Sequence, residues 1–144
     1  MKVIVFWLIA LFFSHAVTAD DFARKLAQVD EDRPIAENSI ETKRAANAIK
    51  IAMSVCNEKS KDELLEEVWR TVQILRKKDE YSRPVDILEG LKAILDGAIE
   101  KQDCASTMSY YISARTGAGQ SHSEAVAGMR ILMKTLGIIT YPKK

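Results

Sequence analysis

Apolar residues recur every three or four positions along most of this chain, a helical spacing, and short polar caps separate one run from the next. Phe22, Leu26 and Val29 mark a first helix over about Asp21–Val29, and a charged linker holding Pro34 follows from Asp30 to Glu37. Asn38-Ser39-Ile40-Glu41 offers a capping box with Asn38 as the N-cap. The stripe behind it is Ala45, Ala48, Ile49, Ala52, Met53 and Cys56. Ser60-Lys61-Asp62-Glu63 is a second such start, and Leu64, Leu65, Val68, Val72 and Leu75 form its face, with Trp69 half buried at the flank. Ser82-Arg83-Pro84 opens a fourth helix, with Ser82 as cap and Leu88, Leu91, Leu95, Ala98 and Ile99 inward. Gly90 and Gly97 fall inside that pattern, where each costs about 1 kcal/mol against alanine, so they mark close helix–helix approach. Asp103-Cys104 starts a fifth segment with Gly117 as its C′ residue. Ser121 to Glu124 is a third capping box, ahead of a helix that turns Ala125, Val126, Met129, Leu132, Met133 and Leu136 inward. The tail after Gly137 packs down through Ile138-Ile139. The pattern predicts an all-α fold, a compact bundle of five or six helices forming one domain over residues 20–144.

The first residues follow a different rule. Lys2 precedes an unbroken apolar run, Val3 to Phe13, and Val17-Thr18-Ala19 supplies small residues where a signal peptidase reads. The run is too short to span a bilayer. Residues 1–19 therefore read as a signal peptide, and the expectation is a secreted, extracellular protein with no membrane insertion. In an oxidising compartment its two cysteines, Cys56 and Cys104, are expected to form a disulfide. Closing so long a loop is worth about 4 kcal/mol by chain entropy. The alternative, a reactive thiol, lacks a CxxC spacing or a neighbouring base.

Charge narrows the partners. The chain holds 21 Lys and Arg against 20 Asp and Glu, and loss of Lys2 with the signal leaves it neutral. Neutrality argues against nucleic acid or an anionic membrane as the main partner. Past the signal, His122 is the one histidine, too few for a zinc site, and Ser121 and Ser123 beside it are explained as caps. Asp62, Glu63, Glu66 and Glu67 lie at a helix start and along a solvated face, with no aromatic platform for a sugar. Gly117-Ala118-Gly119 follows no strand and resembles no phosphate loop. No catalytic, metal or cofactor site is expected, and the protein reads as a non-enzyme.

Two features point to binding instead. Met53, Met108, Met129 and Met133 could line a pocket for a small hydrophobic ligand, or simply fill a core. Tyr110 and Tyr111 point about 100° apart on a helix, so one packs inward and the other leans out. With Arg115, His122 and Arg130 they make a candidate binding surface of residue types enriched at interface hot spots.

The signal MKVIVFWLIALFFSHAVTA, the charged segment DDFARKLAQVDEDRP and the C-terminal block DCASTMSYYISARTGAGQSHSEAVAGMRILMKTLGI together resemble the anopheline mosquito salivary family that includes anophensin and albicin. The resemblance covers the mature chain and rests on layout and these blocks. It implies saliva as the source and a host plasma protein as the partner. It further implies inhibition of the alternative complement pathway by holding its convertase in an inactive complex, or interference with the plasma contact system. No residue-by-residue transfer of a binding site follows from it.

Overall fold

A computed structural model describes residues 19–78 and 80–140. The expected signal peptide lies outside them apart from Ala19, as does the end of the tail. Six helices follow in order: α1 (Ala19–Glu31), α2 (Ile40–Val55), α3 (Lys61–Arg76), α4 (Pro84–Leu95), α5 (Cys104–Thr116) and α6 (His122–Thr135). The fold is an all-α bundle with one disulfide, Cys56–Cys104.

Its organisation follows from one helix. α4 is apolar nearly all round, burying Val85, Ile87, Leu88, Leu91, Ile94 and Leu95, and a helix of that kind must be enclosed. It touches each of the other five. α2 and α6 flank it, α1 covers α2, and α5 lies on α3, so the core runs continuously from Ala23 to Ile139. Pro84 fills the first helical position, where its fixed φ and missing N–H cost nothing.

The disulfide joins the C-cap of α2 to the first residue of α5, where Asn57 donates to the Gln102 carbonyl and Gln102 to that of Val55. On the opposite edge the tail pairs back: Ile139 forms a bridge with Ala98, and the Thr140 amide donates to the Gly97 carbonyl at 3.1 Å. Gly97 has φ +87°, and a Cβ there would meet the Thr140 carbonyl oxygen at 2.9 Å.

Several local expectations change. α4 ends at Leu95, so Gly97 sits in the following turn and not inside a helix, and Ile99 is 72% exposed, not inward. Ser39, not Asn38, caps α2 by accepting the Thr42 amide. Ser60 caps α3, but Glu63 reaches the Lys59 amide and so makes half a capping box. Ser121 and Glu124 form the full box. Ser82 does not cap α4. Asp30 at the end of α1 takes that role across the bundle, accepting the Val85 amide at 2.9 Å while Arg83 holds its other oxygen. Gly117 is the C-cap of α5 with right-handed φ, ψ, and not its C′ residue.

Candidate functional site

The C-terminal helices α5 and α6 carry all five residues of the candidate binding surface, and the structure splits them into two layers. The inner layer is a polar chain inside the bundle. Tyr111 follows Met108 on the buried face of α5, and one turn later Arg115 reaches back along the same face. Arg115 Nη1 donates to the Tyr111 hydroxyl at 2.9 Å, and that oxygen lies 2.8 Å from His122 Nδ1. The hydroxyl and Nδ1 share one proton, and which of them donates is set by the imidazole tautomer. Arg115 Nη2 donates to Glu80 at 2.9 Å and to the Tyr81 carbonyl at 3.1 Å.

Each member is shifted by where it sits. Burial disfavours charge on Arg115, but the bonds to Tyr111 and Glu80 outweigh it and raise its pKa. Burial also raises the Tyr111 phenol and lowers the His122 imidazole, the latter opposed by Asp86 on α4 and reinforced by Arg115. The His122 ring stands edge-on to Tyr111 with centroids 5.7 Å apart, and Gly90 of α4 leaves room for it. Arg115 is 5% exposed and Tyr111 is the inward member of the tyrosine pair, so neither lies on the candidate surface where the sequence places it. Their chemistry is spent on locking α5 to α6 and to the segment before α4. Arg130 is half buried and donates to the Ala93 and Asp96 carbonyls, closing the C-terminal end of α4.

The outer layer is apolar. Tyr110 turns out to solvent at 59% exposure, as the 100° rule requires of one of the pair. It lines an open groove of about 410 Å³ between α5 and α6 with Leu132, Met133, Leu136 and Ile138. Leu132 and Leu136 are exposed rather than inward. α6 lies at the edge of the bundle and buries Ala125, Met129 and Met133, with Val126 packed beside them, so Ile131 and Leu132 on its other side stay exposed among the described residues. Sequence reading missed Leu132 and Leu136 because helical periodicity shows which residues share a face, not whether a neighbour stands opposite it.

Enclosed space is small beside Met108, and Met53, Met129 and Met133 do not line it. The void bounded by Ile87, Leu91, Met108, Tyr111, His122 and Val126 amounts to about 10 Å³, room for no more than one water. Cys56, Cys104 and Glu58 come together with ligand-like spacing. The two sulfurs are bonded to each other, and Glu58 Oε1 accepts the Cys104 and Ala105 amides at 2.9 and 3.1 Å, capping α5. A disulfide offers no thiolate to a metal.

No protein-family model, no curated protein and no solved structure matches this chain.

Proposed function

We propose that the protein is a secreted, salivary binding protein, not an enzyme, that inhibits a host plasma cascade by covering a protein surface, with the alternative-pathway convertase of complement as its first target. The observation that carries the binding role is the solvent-open apolar groove of Tyr110, Leu132 and Leu136. Aromatic and aliphatic anchors around a cleft are what a protein partner fills, and polar residues such as Gln102 and Asp103 rim it. Every groove residue but Gln102 falls within the C-terminal block Asp103 to Ile138 that carries the resemblance to the mosquito salivary family. That resemblance supports the complement target, with the contact system as the second candidate.

The rigid underlayer suits this role. Arg115, Tyr111 and His122 fix the α5–α6 geometry before any partner arrives, which lowers the ordering cost of binding. A carrier of a small hydrophobic ligand would need an enclosed apolar chamber of several hundred Å³, against about 10 Å³ beside Met108. The test is capture from host plasma by the secreted product, compared with a Tyr110→Ala/Leu136→Ala variant. A convertase component retained by the first and lost by the second supports the reading. Equal retention moves the site elsewhere, and capture of no plasma protein refutes the function.

A further inference from the structure

On a face separate from the α5–α6 groove, an open cleft of about 580 Å³ runs between α1 and α3. Lys25, Gln28, Arg33, Trp69 and Arg76 line it, with Asp32 as the one acid. A neutral chain has no net field to place there, so the local excess comes from how the neighbouring acids are used. The run Asp30-Glu31-Asp32 sits at the cleft's edge, but Asp30 and Glu31 are both bound by Arg83. Only Asp32 is left facing Lys25, Arg33 and Arg76.

The three cations differ in how free they are. Lys25 is 3.4 Å from Asp21, and Arg33 pairs with Glu41 at 2.8 Å, both with more than half of the side chain exposed. Arg76 makes no side-chain bond or ion pair with any of the described residues. It is followed by exposed Lys77 and Lys78, so the positive line continues past the end of the cleft. These three also complement the negative end of the helix dipole at the end of α3. The dipole does not account for Trp69, a large aromatic left 42% exposed in the same cleft.

We propose that this cleft binds a sulfated polysaccharide of the glycosaminoglycan kind. The cleft is open at its surface, as a polymer threading through it needs. The planar fork of a guanidinium presents paired donors to two oxygens of one sulfate or carboxylate. The Trp69 indole, exposed on the same helix as Glu66 and Glu67 where no aromatic platform was expected, offers an apolar plate for the C–H face of a sugar ring, a contact that an acidic peptide does not require. The continuing Arg76-Lys77-Lys78 line follows a ligand that repeats its charge. Such a site would hold the protein at a cell surface or matrix while the α5–α6 groove engages its own partner, and it stands whether or not that partner is a complement protein.

The test is titration calorimetry of the product secreted from the full-length chain with a heparin-derived hexasaccharide. The same sugar stripped of sulfate and a polyglutamate peptide of similar charge serve as competitors. Binding is expected for the sulfated sugar, with affinity falling steeply as salt rises. Arg76→Ala and Trp69→Ala, both surface changes, should each weaken it by about tenfold. Lys50→Ala, an exposed cation on α2 outside the cleft, should leave it unchanged. Absence of binding overturns the proposal, as does equal weakening by Lys50→Ala. Preference for polyglutamate over the sulfated sugar would also overturn it and give the cleft to an acidic protein segment.

Discussion

Replacing Tyr111 by Phe isolates the polar chain beneath α5 and α6. The ring keeps its place, since Tyr111 is packed to 3% exposure, and only the hydroxyl is lost. Arg115 then loses the acceptor for Nη1 while its Nε already lacks one, leaving Nη2 on Glu80 and the Tyr81 carbonyl as its hold. His122 Nδ1 loses its partner as well. A hydrogen bond to a charged group contributes about 1.5–3 kcal/mol, and an orphaned neutral ring nitrogen adds about 1 kcal/mol. The gain in apolar character of Phe offsets part of this, so the expected loss is about 2–3 kcal/mol. For a domain of this size that lowers Tm by roughly 6–15 °C. Urea unfolding followed by far-UV circular dichroism at neutral pH reads it directly. The Tyr111→Phe/His122→Asn double variant should lose less than the two singles combined, because both changes cut the same bond. A loss under about 0.5 kcal/mol, or strict additivity, would refute the chain as a structural lock.

Three further outcomes follow from the geometry. Cys56→Ser/Cys104→Ser should cost about 2–4 kcal/mol, seen as a lower urea midpoint, because the bridge closes a separation of 48 residues. Gly90→Ala should fail to gain the usual helix propensity of about 1 kcal/mol, since its Cβ would lie 3.2 Å from His122 Cε1 and Val126 Cγ2 with the ring held by Tyr111. Gly128→Ala on α6, whose Cβ would meet nothing closer than Gln120 Oε1 at 3.9 Å, should gain it. Stability should fall as pH drops through and below the ordinary imidazole range. The folded state lowers the His122 pKa, so the unfolded chain binds the proton more readily, and the contribution is intact only above the unfolded value. Asp30, whose carboxyl burial raises, acts with the opposite sign, so the His122 share is the part of the pH slope that His122→Gln removes in melts from about pH 8 to pH 5.

The parts of this fold legible in the sequence are those set within one turn of helix. The Ser121–Glu124 box, Pro84 at the start of α4 and the inward stripe of α2 are local, and the chain displays them directly. The disulfide was legible through the expected export signal and the lack of any other use for two cysteines. What the pattern hid were partners far apart in the chain. Asp30 caps α4 from 55 positions away, and Glu58 caps α5 from 46. Arg130 closes α4 from 37 positions away. Arg115 carries the residue type of an exposed hot spot, yet Glu80 lies 35 positions upstream and draws it into the core. Leu132 and Leu136 share the helical period of a core face, but none of the described residues covers their side of α6. The candidate surface thus keeps Tyr110 from the sequence reading and gains its two leucines from the packing.

The central claim is inhibition by occupation of a plasma-protein surface through the α5–α6 groove. Alternative-pathway lysis of erythrocytes in host serum, with the secreted product added, tests it most directly. The account predicts protection by the wild-type protein and its loss in Tyr110→Ala/Leu136→Ala, with the circular dichroism spectrum unchanged. Undiminished lysis with the wild type, or equal protection by the variant, would contradict it.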